Sequence, residues 1–272
     1  MVKLIFTVVI FVAICACMDN QQKTAKTDEI EFDSFTVDTT VTLAKDTNAP
    51  RCNLSFSVQY AKGNHAAKTN PVLIAKINQA LIQSGIIVPD YLLPSNSADI
   101  RCAVNLFVNK FVSEYLQDYG KLYREDQAHA NSYNYDYQVR TTTQVGADNV
   151  IVYTATVYTY GGGAHGINQT LVKNIDAKTG RIITLKDIFV PGYEETLQEI
   201  LLEKIKKKFN AKSLEALQQQ YIFADGDIYV PDNFILNEDD IIFIYGEDEI
   251  APHSIGQIRI EIDKDELNKI MK

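Results

Sequence analysis

The sequence predicts an α+β fold: an antiparallel sheet with helices packed on one face, arranged as two intertwined α/β modules. Three observations carry that expectation. Helical and strand-like segments arrive in blocks and do not alternate one for one. The strand-like segments alternate apolar and polar residues and are joined by short turns rich in Gly, Asn and Asp. One long β-rich run, Val150 to Tyr160, breaks at Gly161-Gly-Gly-Ala-His-Gly166 and resumes from Gln169 to Ile175, as a hairpin with an unusual loop does.

The chain opens with a targeting pattern. Met1-Val-Lys3 is a short positive start, and Leu4 to Ala16 is an apolar stretch too short to span a bilayer. Ile14-Cys15-Ala16-Cys17 then sets small residues before a cysteine. Residues 1–16 are therefore expected to be a lipoprotein signal peptide, with Cys17 the lipidated first mature residue; an ordinary secretory signal cut nearby is the plainer alternative. Either reading takes the protein out of the cytoplasm; the lipoprotein reading puts it in the cell envelope, periplasmic or surface-exposed, with a lipid anchor as its contact with membrane. Residues 17–30 lack aromatic and β-branched density and read as a flexible tether.

An N-terminal α+β module is expected over residues 31–145. Glu31 to Leu43 suits an opening strand, and Arg51 to Tyr60 alternates clearly, with Cys52, Leu54, Phe56, Val58 and Tyr60 on one face. Asn70-Pro71 starts a helix that Gly85 ends. A second, longer helix is capped by Ser97 or Asp99. It carries Ile100, Val104, Phe107, Val108, Phe111, Tyr115 and Tyr119 at helical spacing before Gly120. Period two returns at Tyr133, Tyr135, Tyr137, Val139 and Thr141, and Val145 to Asn149 turns the chain into the next strand.

A C-terminal module is expected over residues 146–272. After the glycine loop and its return strand, Asp176-Ala-Lys-Thr-Gly180 turns the chain into a further strand region, Arg181 to Phe189, which Pro191-Gly192 ends. Tyr193 to Phe209 is amphipathic, Ser213 caps a shorter helix, and the chain finishes in strands around Asn233–Asn237, Ile241–Tyr245 and Gly256–Ile262. Asp263 caps a last short helix.

Charge and cysteines bound the function. A net charge of −9 favours solubility and argues against nucleic acid, which wants a clustered basic face; the one basic run, Lys204 to Lys208, reads as the solvated side of a helix. With Cys15 removed and Cys17 lipidated, Cys52 and Cys102 remain, and in an oxidising envelope they are expected to pair. Closing that loop would stabilise by about 4 kcal/mol in the chain-entropy model. A cysteine nucleophile would need a supporting motif that the sequence lacks.

Candidate ligand-binding residues gather around the glycine loop: Gly162, Gly163, His165 and Gly166, with Tyr158 and Tyr160 on the strand that enters it. Glycines let a backbone or a ligand come close, and the histidine ring can donate or accept near neutral pH. A structural role, the ring satisfying a neighbouring carbonyl, is the alternative for His165. Nine of the 15 tyrosines lie between Tyr115 and Tyr160. They read either as a face packed on the helices or as an aromatic surface able to stack on sugar rings. His65, His129, His165 and His253 show no zinc-like spacing, and Asp225-Gly-Asp227 and Glu247-Asp-Glu249 lack an ordered calcium-loop spacing, so no metal or other cofactor is expected. No Gly-x-Ser-x-Gly is present, Ser254 beside His253 has no orienting acid in view, and no catalytic residue is assigned.

Tyr160-Gly-Gly-Gly-Ala-His-Gly166, followed by Asn174-Ile-Asp176, Thr179-Gly180 and Leu185-Lys-Asp-Ile-Phe189, resembles the C-terminal module of the secreted RsiV-like and PdaC-like proteins. The ending, Phe234-Ile-Leu through Ile242-Phe243, Ile250-Ala-Pro252 and Gly256, is similar too. The segment around Phe56, Asn70-Pro to Asn78 and Phe107 to Tyr115 looks like the module that precedes it, so the likeness spans about residues 35–271. Both modules are domains of unknown function. In RsiV-like anti-sigma factors the corresponding part binds lysozyme; in PdaC-like deacetylases it accompanies a separate catalytic domain. The resemblance implies an envelope-facing binding role; with the anchor, the glycine-histidine loop, the tyrosine-rich sheet and the absence of a catalytic motif, the expectation is a non-catalytic binding or sensing protein that recognises a lysozyme-like protein or a cell-wall glycan. The alternative is an envelope enzyme acting on peptidoglycan with His165 as base.

Overall fold

The computed structural model describes residues 30–46, 48–64, 69–89, 99–224 and 226–272. The signal peptide, Cys17 and the tether up to residue 29 lie outside the described residues, as do His65, Ser97 and Asp225. No helix among the described residues is long and apolar enough to cross a membrane.

Strands β1 (Ile30–Thr42) and β2 (Arg51–Gly63) pair antiparallel along their whole length. Helix α1 (Pro71–Gln83) starts where the sequence says. Asn70 accepts a hydrogen bond from the Val72 N–H at 3.0 Å, and Pro71 sits in the first turn, where its missing N–H costs nothing. Helix α2 (Ile100–Glu125) is capped by Asp99, which accepts from the Cys102 N–H at 2.9 Å. It runs through Gly120 and does not stop there. A mid-helix glycine costs only ~1 kcal/mol, and the turns on either side of it carry Tyr119 and Tyr123, both packed edge-on against Tyr133.

Four more strands complete a six-stranded sheet in the order β1-β2-β3-β4-β5-β6: β3 (Tyr135–Val145), β4 (Val150–Tyr160), β5 (Ile167–Asp176) and the two-residue β6 (Ile182–Ile183). The sheet is mixed, because β2 and β3 run parallel while every other pair is antiparallel. A parallel neighbour needs a crossover, and α1 and α2 supply it. Helices α3 (Leu185–Ile188), α4 (Glu194–Lys208) and α5 (Leu214–Gln218) follow. A second antiparallel sheet then forms from β7 (Phe234–Leu236), β8 (Asp240–Tyr245) and β9 (Ile258–Asp263), and α6 (Lys264–Leu267) ends the set. The strand expected over Arg181 to Phe189 is β6 followed by α3: the Asp187 carboxylate accepts from both the Thr184 N–H and the Thr184 hydroxyl, which locks a helical turn.

Two hydrophobic cores lie on opposite faces of the six-stranded sheet. Leu54, Phe56 and Val58 of β2 meet Ile77 and Leu81 of α1 and Val104 and Phe107 of α2. Leu197, Leu201 and Ile205 of α4 meet Phe234, Phe243 and Ile260 of the small sheet. Strand β4 serves both: Ile151 and Tyr153 point into the first core, Val150 and Val152 into the second. Tyr153 is fully buried and its hydroxyl donates to the Gln59 carbonyl at 2.7 Å, which ties β4 to β2 where the β2–β3 pairing has ended.

Two asparagines join the sheets. On β5, Asn174 is 2 % exposed; its Nδ2 donates to the Phe234 carbonyl at 2.8 Å and its Oδ1 accepts from the Leu236 N–H at 3.0 Å. Asn233 reciprocates, accepting from the Val172 N–H at 2.8 Å and donating to the Thr170 carbonyl at 2.6 Å. Each amide offers a donor and an acceptor side by side, so it stands in for a strand where neither sheet has one. Gly146 allows the approach, since a Cβ there would overlap the Leu236 carbonyl oxygen.

The expected Cys52–Cys102 bond does not form, and both thiols are free. Cys52 faces the first core beside Tyr115 and pairs in register with Tyr135. Tyr115 lies 13 residues along α2 from Cys102, or about 20 Å at 1.5 Å per residue. A disulfide tolerates a Cα separation of only ~7 Å. Burial, with the Asp136 charge adding, pushes the Cys52 thiol up to about 12, while Cys102 is exposed on the outer side of α2.

Candidate functional site

The Gly161–Gly166 loop joins β4 to β5 at one end of the large sheet. Its glycines answer to this chain's own packing. Gly162 has φ +77°, and a Cβ there would overlap the backbone of Ser132, so the loop is pressed onto the 3-10 turn Ala130–Tyr133. Gly166 lies under the Tyr158 ring, and a Cβ would collide with the phenol end of that ring. Gly163 has open space where its side chain would be.

His165 is exposed, and its ring stacks on His253 with centroids 3.9 Å apart and planes 24° from parallel. The carboxylates that sequence reasoning found in a separate turn arrive here, but they hold His253. Its Nδ1 lies 3.1 Å from Asp248 Oδ2 and 3.3 Å from Glu247 Oε1. The other Glu247 oxygen accepts the Asn168 N–H at 2.5 Å, so this one side chain ties the β8–β9 loop to the first residues of β5. Glu249 turns the other way, accepting the Gly246 N–H and the Tyr229 hydroxyl. Burial first, then Glu249, holds the Tyr229 phenol above its usual range. The two loops thus form a polar clasp between the two sheets. His165 contacts the acids only through His253, and among the described residues no group of three or more His, Cys, Asp or Glu could hold a metal ion.

Sequence reasoning singled out His165 and missed its partner. His253 is 88 residues downstream, and only contact in the folded chain pairs them. The signal that was present is that one sits in a glycine-rich loop, Gly161–Gly166, and the other in a loop punctuated by Gly and Pro, Gly246–Gly256, both of the kind that adopts a special local geometry.

The tyrosines divide between two faces. Tyr135 and Tyr137 pack inward, with ring centroids 4.9 Å from Phe111 and 5.5 Å from Phe107, and the Tyr115 hydroxyl donates to the Tyr133 carbonyl at 2.8 Å. Tyr158 and Tyr160, half-buried on β4, belong to the opposite face. That face is covered by the second core only beside Val150, Val152 and Val172. Across β1 to β4 its outward positions are hydrophilic: Thr36, Asp38 and Thr40; Asn53, Ser55 and Ser57; Asp136, Gln138 and Arg140; and Thr156 with the two tyrosines. Among the described residues nothing apolar packs there. A groove of about 480 Å3 runs over this face between β2 and β5. The surface offers hydroxyls, amides, two carboxylates, one guanidinium and aromatic rings, a donor and acceptor set suited to polyhydroxylated ligands.

Comparison with known proteins adds a class and no activity. Residues 186–265 match the DUF3298 family, described as a protein of unknown function. The matched span covers α3 to β9 and includes the Gly246–Gly256 loop but not the Gly161–Gly166 loop. Among solved structures, a DUF3298 family member from Bacteroides fragilis is 28 % identical, with a TM-score of 0.78 over 89 % of this chain and 94 % of that chain. A DUF3298 family protein from Pseudomonas aeruginosa shares the fold, at 18 % identity and a TM-score of 0.54 over the same shares. No curated protein matches. These findings support a domain of unknown function; the finer likeness to RsiV-like or PdaC-like proteins does not follow from them.

Proposed function

We propose that the protein is a non-catalytic binding or sensing protein of the cell envelope, lipid-anchored through Cys17, whose recognition surface is the open hydrophilic face of the six-stranded sheet and whose ligand is a cell-wall glycan. The observation that carries this reading is the composition of that face: Ser, Thr, Asn and Gln side chains around two half-buried tyrosines, left uncovered beside a buried second core. Sugars are recognised by aromatic faces with hydrogen-bonding groups at their edges. An interface with a protein such as lysozyme would centre on a larger apolar patch than these two half-buried tyrosines supply. The His165–His253 clasp borders the same surface through Asn168 and sets the position of its rim.

The alternative, a peptidoglycan-directed enzyme with His165 as base, is disfavoured by geometry. His165 stands on an exposed loop, and the orienting carboxylates engage His253. Titration calorimetry of the purified protein with muropeptides, with lysozyme in parallel, tests the proposal. Saturable muropeptide binding that weakens about tenfold in Tyr158→Ala, as the loss of one stacking contact worth ~1–1.5 kcal/mol implies, supports it. Chemical conversion of the muropeptide, lost in His165→Ala, would replace binding with catalysis.

A further inference from the structure

Within the open face, and resting on the reading of that face as a glycan surface, we propose that the groove selects anionic sugars, with Arg140 taking the carboxylate or phosphate of the ligand. The groove is lined by Ser57, Gln138, Arg140, Thr156, Tyr158 and Asn168, among others. Arg140 is the basic residue of that lining. It is exposed, and no hydrogen bond or ion pair engages its guanidinium among the described residues. The acids of the same face are already occupied: Asp136 accepts from Asn53 Nδ2 at 2.6 Å, and Asp38 accepts from the Ser55 hydroxyl at 2.7 Å. Both keep their charge but lie outside the groove lining, within which Arg140 is an unpaired cation among neutral donors and acceptors.

Strand register places this cation against the other groups. Arg140 faces Ser57 on β2 and Thr156 on β4, and Gln138, two residues along on the same face, faces Tyr158. Groups two positions apart on adjacent strands are within reach of long side chains. A sugar ring laid on Tyr158 would therefore present a substituent to Arg140. A guanidinium offers a planar fork of N–H donors that matches a carboxylate or a phosphate with two parallel bonds. The chain as a whole carries −9, so long-range attraction does not draw an anion in. Capture is local, within a screening length of ~8 Å at physiological salt.

The test measures binding of the full protein to three probes: neutral chitotetraose, tetragalacturonate, which carries carboxylates, and glucose 1-phosphate, which carries a phosphate. At least one anionic probe should bind tenfold or more tightly than the neutral sugar, and comparison of the two anions identifies which group Arg140 prefers. Arg140→Gln should erase that preference with the unfolding midpoint unchanged, and Arg140→Lys should restore part of it. Equal binding of all three probes, unaffected by Arg140→Gln, overturns the role of Arg140 and leaves the glycan surface standing. Failure of every saccharide to bind overturns both.

Discussion

Replacing Asn174 by alanine should uncouple the two sheets. The Phe234 carbonyl and the Leu236 N–H point away from β8, where Ile235 makes the ladder, and the Asn174 amide meets both at 2.8 and 3.0 Å. Phe234 and Leu236 are 3 % and 7 % exposed, so water has little access to the groups the substitution strands. A buried donor or acceptor without a partner costs about 1–3 kcal/mol. Two of them, partly relieved by local relaxation, give ~3 kcal/mol. For a domain of this size that lowers the thermal midpoint by roughly 6–12 °C. Urea unfolding followed by circular dichroism reads the loss as a lower midpoint with an unchanged slope. The exposed Asn168→Ala is the control and should change stability by less than ~0.5 kcal/mol. A loss below about 1 kcal/mol for Asn174→Ala, or one equal to that of the control, would refute the idea that side-chain amides hold the sheets together.

The glycine loop should respond unevenly to alanine. Gly162→Ala combines positive φ with overlap of Ser132 and should lose at least ~1–3 kcal/mol from backbone strain, whereas Gly163→Ala, facing open space, should be neutral; unfolding midpoints compare them, and equal effects would contradict the packing described. Asp187 should show a defined pH dependence. Hydrogen bonds from Thr184, N–H first and hydroxyl second, hold its carboxyl below the ordinary 3.8, so its contribution is complete above that value and disappears as pH falls through the lowered folded value. Asp187→Ala should therefore be less stable than the parent at pH 7, with the gap shrinking toward pH 2, and a pH-independent gap would count against it. Maleimide labelling followed by mass spectrometry should modify Cys102 in the native protein and Cys52 only after unfolding; recovery of a Cys52–Cys102 disulfide would contradict the fold.

Local chemistry was legible in the sequence where its consequences are local. Asn70-Pro71 started α1, the alternation of β2 chose its buried face, and the Tyr133–Tyr137 stripe packed on α2 as a core face does. Pairings carried by distant residues were not. The parallel register of β2 with β3 depends on a crossover from Gly63 to Tyr135, and no periodicity in either strand announces its neighbour. Asn174 and Asn233 looked like ordinary polar positions because their partners are backbone groups about sixty residues away. The cysteines misled for the same reason: composition and compartment suggested a bond, while the long axis of α2 keeps them apart. At the candidate site the sequence singled out the Gly161–Gly166 loop with Tyr158 and Tyr160, but it gave no sign that Arg140 shares the face of those tyrosines or that His165 leans on His253.

The most direct test of the glycan-binding reading is calorimetric titration of the purified protein with muropeptides, set against the same titration of Tyr158→Ala. Saturable binding that weakens about tenfold on removal of the ring, with the variant still folded by circular dichroism, is the expected result. No heat of binding from any cell-wall fragment, or binding indifferent to Tyr158, would contradict the assignment of the open sheet face as the recognition surface.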